Sequence, residues 1–146
     1  MSEPLRIRSF AASDEEAVVA LWTACDLVRP WNDPHRDIAR KLTTQPEMFL
    51  VGEVARHVVA SVMAGYDGHR GWVNYLAVDP AVRGAGYARA LMAEVERMLT
   101  DRGCPKLSLQ IRSANEGVID FYAGLGYAVD PVVSMGKRLI PDGPVG

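Results

Sequence analysis

Cysteine, histidine and surplus charge are all scarce in this chain, and each scarcity closes off a class of function. Cys25 and Cys104 are the only two cysteines in 146 residues. They form neither a CxxC pair nor any spacing used to hold a metal. The three histidines, His35, His57 and His69, are scattered, so no zinc site is legible. Lys and Arg number 16 against 18 Asp and Glu, a formal charge of −2. No basic surplus is available to drive non-specific binding to nucleic acid. No apolar run approaches the ~18 residues of a membrane span, and the opening MSEPLRIRSF holds no apolar stretch of signal-peptide length. The expectation is a cytoplasmic protein with reduced thiols, no metal, no nucleic-acid partner and no membrane partner.

What is present is a core-forming composition. Hydrophobic residues make up 49% and charged residues 23%, the proportions of a globular chain rather than a disordered one. The length is about the mode for one domain and suffices to bury ~70% of the unfolded surface. Residues 1–146 therefore read as a single domain, without repeats or a linker.

The periodicities place the elements. Leu5 and Ile7 alternate with Arg6 and Arg8, a first strand near 4–9. Ser13 and Glu16 stand at capping-box spacing before a helix over 14–25. Asp33-Pro34 then opens a short helix over 34–44, with Asp33 as N-cap and Pro34 in the first turn. Strands follow at 48–54 and 57–66 around a tight turn at Ala55-Arg56. The nearly continuous apolar run 72–78 predicts a strand buried on both faces. A long amphipathic helix over 84–102 ends at Gly103. A strand over 106–111 and a helix over 115–124 come next. Residues 128–133 and 134–140 predict a closing pair of strands, and PDGPVG a frayed tail. This order implies a mixed α+β (α/β) sheet, antiparallel at first and with one parallel crossover.

The sharpest local signal is Arg83-Gly84-Ala85-Gly86-Tyr87-Ala88, between a strand and the long helix. The first amides of a helix lack internal partners and carry the positive end of the macrodipole. Small residues let a pyrophosphate approach that backbone, and Arg83 adds a planar cation. A glycine-softened turn with no ligand is the competing reading. The segment has neither the Walker lysine nor full GxGxxG spacing.

VNYLAVDPAVRGAGYARALM resembles motif A of the GNAT superfamily of N-acetyltransferases, with Arg83, Gly86 and Ala88 at its marked positions. SANEGVIDFYAGLGY resembles the family's motif B, with Asn115, Phe121-Tyr122 and Leu125-Gly126-Tyr127 in register. The likeness spans about residues 3–140 and is nearest to small bacterial single-domain members. It implies a GNAT-like fold: a twisted, mostly antiparallel sheet of 6–7 strands with a splayed parallel pair, flanked by about four helices. It also implies acetyl-CoA as cosubstrate, lying between strands 72–78 and 106–111. A β-bulge in the first strand would free the backbone of Leu76, Ala77 and Val78 to pair with the pantetheine arm. The pyrophosphate would rest on the amides of Arg83, Gly84, Ala85, Gly86, Tyr87 and Ala88. Asn115 would hydrogen-bond the pantetheine, or serve only as a helix cap. Tyr122 would protonate the departing CoA thiolate, its phenol (pKa ~10) already carrying the proton at neutral pH. The alternative for Tyr122 is a core tyrosine satisfied by backbone.

The general base departs from the pattern. Gln110 stands where some relatives have glutamate, and glutamine is no base at neutral pH. Glu53, Asp67 and His69 are the substitutes, with water relay as a further route. The acceptor wall implied by the resemblance includes LVRPWNDP, which offers Arg29, Trp31, Asn32 and Asp33; Asp67 in YDGHRG is a further candidate for the acceptor. An α-amine (pKa ~7.7–8.0) needs a weaker base than lysine (~10.4), which favours a small amine, amino acid or peptide N-terminus. The implied activity is direct transfer of acetyl from acetyl-CoA to such an amine in a ternary complex. A CoA-binding sensor with little turnover is the alternative, and a different nucleotide-binding protein the third. The resemblance leaves room for a homodimer.

Overall fold

The computed structural model describes residues 3–143. Its strands are β1 (Arg6–Ser9), β2 (Phe49–Val54), β3 (His57–Tyr66), β4 (Gly71–Val78) and β5 (Leu107–Leu109). Its helices are α1 (Glu15–Ala24), α2 (Pro34–Lys41), α3 (Tyr87–Asp101) and α4 (Glu116–Gly124). The strands form one sheet in chain order. The pairs β1–β2, β2–β3 and β3–β4 are antiparallel, and β4–β5 is parallel across the α3 crossover.

Strand periodicity sends alternate side chains to opposite sheet faces. Leu50, Val62 and Ala64 join Leu91, Met92 and Val95 of α3 in one core. Phe49, Val51 and Met63 join Val18, Leu21 and Trp22 of α1 and Ile38 of α2 in a second. The sheet is therefore a wall between two cores, and groups on β4 are positioned from both sides.

The local signals behave as their chemistry dictates at several places. Asp33 caps α2, accepting from the amides of His35 and Arg36 at 2.9 and 3.3 Å. Ala55 and Arg56 turn the hairpin with φ of 50° and 69°, the paired left-handed conformation of a type I′ turn. Gly103 follows α3 with φ 78°, and the amides of Gly103 and Cys104 fold back onto Thr100 and Leu99.

Five expectations are corrected. Ser13 does not cap α1. A 3₁₀ turn over Ala12–Asp14 precedes that helix, and the Asp14 carboxylate accepts from the Ala11 amide at 2.8 Å. β4 is not buried on both faces: Trp72 is 37% exposed and Asn74 is exposed, because that side of the strand is open. The sheet has five strands among the described residues, not 6–7, and β5 is three residues rather than 106–111. Residues 128–140 run beside β5 without joining its ladder. Pro131 has no N–H to offer, and the Val132 amide is spent on the Asp130 carbonyl. Side chains tether the segment instead, through Lys106–Asp130 and Gln110–Ser134. The frayed tail expected over 141–146 is anchored at Asp142, which meets Arg40, Arg138 and the Asp33 amide. Residues 144–146 lie outside the described residues.

Candidate active site

The site begins with a counting error built into β4. Between the pairs Ser61↔Ala77 and Met63↔Asn74, β3 advances two residues and β4 three. The extra residue is a β-bulge, centred on Tyr75 with φ 55°. A bulky side chain in the left-handed region costs roughly 1–2 kcal/mol, so the surroundings must hold it there. They do so from the α1 side. Trp22 stacks flat on the Tyr75 ring, with centroids 3.8 Å apart and planes 11° apart. The fully buried Ser61 hydroxyl accepts from Trp22 Nε1 at 2.9 Å and donates to the Tyr75 carbonyl at 3.1 Å. Tyr75 Oη donates to Asp37 of α2 at 2.7 Å.

The bulge coincides with the end of parallel pairing. β4 and β5 are in register at Gly71↔Leu107, Trp72↔Ser108 and Val73↔Leu109, and not beyond. Past Val73 the two chains diverge around a cavity of about 630 Å³. Its walls are Asn74, Tyr75 and Leu76 of β4, Gln110, Ile111 and Arg112 after β5, and Asn115, Val118 and Tyr122 at α4. The connection between α1 and α2 closes it with Cys25, Asp26, Leu27, Arg29 and Asn32, and Asp37 enters from α2.

Tyr122 is 6% exposed, yet it lines this cavity, and its hydroxyl makes no hydrogen bond among the described residues. Its ring lies edge-on to Phe121 and to Tyr127 at centroid distances of 5.2 and 5.6 Å. Tyr127 reaches it because Gly126 takes φ 96° after α4, letting the Tyr127 amide return to the Tyr122 carbonyl. That fold-back accounts for the Leu125-Gly126-Tyr127 sequence. Burial pushes the Tyr122 phenol up to about 12, so it keeps its proton throughout the neutral range. Asn115 caps α4, its Oδ1 accepting from the Val118 amide at 3.2 Å, and its side-chain nitrogen is left over.

The RGAGYA turn lies beyond the end of β4. None of the amides of Arg83 through Ala88 donates to another group among the described residues. Gly84 and Gly86 have φ of 88° and 83°, and a Cβ built on either meets nothing within 4 Å. This face of the turn is open backbone at the N-terminus of a 15-residue helix. Such a face fits a phosphate group. Arg83 reaches back to the Val78 carbonyl and to Cys25 Sγ, at 3.3 and 3.6 Å.

Not every candidate reaches the cavity. Leu76 lines it, whereas Ala77 is buried and the Val78 carbonyl already accepts from Cys25 Sγ and Arg83 Nε. Glu53 sits among Arg6 and Arg8 at the β1–β2 edge, with Arg8 at 3.1 Å. Asp67 is occupied by the amides of His69 and Arg70 and by Trp72 Nε1, which ties the β3–β4 turn. The Asp33 carboxylate is committed to its helix cap. Asn32 lines the cavity, and Trp31 borders it by lying under Arg112. Asp37, Tyr75 and Arg112 line the cavity and were missed by sequence reasoning. Among the described residues no three His, Cys, Asp or Glu side chains cluster as metal ligands, and no helix is long and apolar enough to cross a membrane.

Comparison with known proteins matches this geometry. The model of the acetyltransferase (GNAT) family matches residues 15–127. The acetyltransferase YE1169 of Yersinia enterocolitica is 52% identical over 138 residues, covering 94% of this chain and 98% of that protein. The acetyltransferase SG1711 of Sodalis glossinidius is 52% identical over 139 residues, with the same coverage. Among solved structures, Ard1 from Thermoplasma volcanium superposes with a TM-score of 0.78 at 25% identity, over 86% of this chain and 84% of that one. The ribosomal-protein-S18-alanine N-acetyltransferase of Escherichia coli shares the fold, with a TM-score of 0.70 at 22% identity over 84% and 77%. The chain belongs to the GNAT family of acetyltransferases and is an acyltransferase.

Proposed function

We propose that this protein moves an acetyl group from acetyl-CoA to a primary amine by direct transfer, as one compact catalytic domain working in the cytoplasm. The observation that carries the reading is the Tyr75 bulge, which ends the β4–β5 ladder beside the buried Tyr122, whose unpartnered hydroxyl opens on the cavity. Bound acetyl-CoA supplies the activated acyl carbon. The amides of Arg83 to Ala88 hold its pyrophosphate, and the side-chain nitrogen of Asn115 donates to its pantetheine arm. The freed backbone edge of β4 at Leu76 pairs with that arm like an added strand. The amine nitrogen forms the new bond to carbon as the carbon–sulfur bond breaks. Tyr122 Oη gives its proton to the departing sulfur. The amine's own proton leaves to water, so no strong base is required for an amine of low pKa.

Neither β4 nor β5 carries a carboxylate, which is what supports a CoA sensor as the second reading. Asp37 brings a carboxylate into the cavity from α2 instead, and this favours turnover. Thermal-shift titration with acetyl-CoA, CoA, ATP and NAD tests the donor. At a hundred times Kd the expected gain is ~2.7 kcal/mol, several degrees for a chain of this size. Stabilisation by acetyl-CoA and CoA alone, with thiol release on adding amines, is the expected result. Binding without thiol release identifies the sensor. Stabilisation by ATP or NAD alone overturns the reading.

A further inference from the structure

The cavity's charges do not all cancel one another. Four charged residues line it: Asp26, Arg29, Asp37 and Arg112. Arg29 pairs with Asp26 at 3.2 Å, which accounts for one of each sign. One carboxylate and one guanidinium remain.

Asp37 is a fixed carboxylate. Tyr75 Oη holds Oδ2, and Arg40 approaches Oδ1 at 3.2 Å. Arg40 does not neutralise it fully, because Arg40 also forks onto both oxygens of Asp142. Each carboxylate oxygen of Asp37 keeps acceptor capacity. Tyr75 itself cannot swing away, being clamped by Trp22 and by the bulge. Arg112 is its counterpart. Its guanidinium carbon stands 5.9 Å from the Trp31 ring centroid, and it forms no ion pair among the described residues. A guanidinium resting on an indole face keeps its edge donors for a planar anion, and a carboxylate matches that fork.

We propose that the acceptor is a small zwitterion, a free α-amino acid or close analogue, whose ammonium docks at Asp37 and releases one proton to water before the neutral amine attacks, with its carboxylate at Arg112. This rests on the transferase reading and narrows its acceptor. A polyamine would leave Arg112 unmatched. A peptide N-terminus would place its carboxylate beyond reach or replace it with a neutral amide.

The test is a matched panel assayed by thiol release at fixed acetyl-CoA. It contains the free amino acids, their carboxamides and their decarboxylated amines. The expected result is kcat/KM at least tenfold higher for an acid than for its own amide. Arg112→Gln should raise KM for the acid roughly 10- to 100-fold, the loss expected for a charge-assisted hydrogen-bonded pair, and raise the amide's KM by a much smaller factor. Arg112→Lys should fall between. Asp37→Asn should raise KM for both acid and amide. Equal rates for acid and amide, or equal losses for both in Arg112→Gln, overturn the assignment. Turnover confined to peptides or polyamines overturns it while leaving the transferase standing. Absence of thiol release with any amine overturns the transferase reading and this inference with it.

Discussion

Replacing Ser61 by alanine isolates the device that keeps the cleft open. Ser61 touches neither donor nor acceptor; it bridges Trp22 Nε1 and the Tyr75 carbonyl inside the core. Without its hydroxyl, one N–H and one C=O lose their partner, at about 1–3 kcal/mol each. The hydroxyl's own desolvation cost is recovered, so the net loss should be about 2–4 kcal/mol. For a chain of this length that corresponds to a fall in Tm of roughly 5–15 °C. The variant should also release Tyr75 toward an ordinary extended conformation, because the ~1–2 kcal/mol strain of its positive φ is no longer opposed by the carbonyl bond. Acetyl-CoA affinity should therefore weaken together with stability. Urea unfolding followed by circular dichroism gives the first quantity, and calorimetric titration of the folded variant gives the second. Ser61→Cys, which retains a weak donor, should lie between. A stability loss below about 1 kcal/mol with unchanged Kd would show that the bulge holds without Ser61, and the account of the cleft would fail.

Tyr122→Phe should lower kcat by roughly a hundredfold or more, the usual worth of a positioned general acid, with little change in acetyl-CoA Kd; an unchanged kcat removes the acid role. Because burial pushes the Tyr122 phenol up to about 12, the rate should climb as the amine loses its proton and show no alkaline fall from this residue below about pH 10; an alkaline limb in that range that Tyr122→Phe abolishes would keep the acid role but refute the raised pKa. Gly86→Glu should eliminate acetyl-CoA binding, since it strains a residue at φ 83° and sets a carboxylate against the phosphates; normal affinity in a folded variant would put the pyrophosphate elsewhere. The Arg8 guanidinium beside Asp14 holds that carboxyl below the usual range. A carboxylate whose folded-state pKa is depressed contributes stability above its unfolded value, and loses it as pH falls through the folded one. Asp14→Asn should therefore flatten the decline in unfolding free energy below about pH 4; an unaltered acid limb would refute the contribution.

Features encoded within a few residues were readable from sequence. The α2 cap at Asp33-Pro34, the Ala55-Arg56 turn and the glycine after α3 each follow from neighbours in the chain. The RGAGYA turn was readable for the same reason, since its open amides depend on helix geometry and small residues. Features that need a distant partner were not readable. Residues 128–140 have the composition of strands, but a strand exists only where an edge accepts it. Val129, Val133 and Met135 end 85%, 87% and 92% exposed. Tyr75 looks like one more member of an apolar run. Asp37, between Asp33 and Arg40 on a polar helix, looks like a solvated surface residue. Only the bulge, formed by a register shift against β3, brings them together. Glu53 illustrates the converse. A carboxylate at a strand end invites a catalytic role, and its proximity to Arg8 appears only in the folded sheet.

The bulge also defines what an evolutionary comparison should look for. β3 and β4 differ by one residue over this stretch. Deleting any one residue between Asn74 and Ala77 would equalise the count. The ladder would then run on, with Ala77 and Val78 still opposite Ser61 and Ala60 and so on the faces they occupy now. Here the separation between a continuous sheet and a working cleft is chain length, a single codon, rather than the chemistry of any side chain. In an alignment of relatives it would register as a one-residue gap in β4, where scoring by residue similarity sees almost nothing.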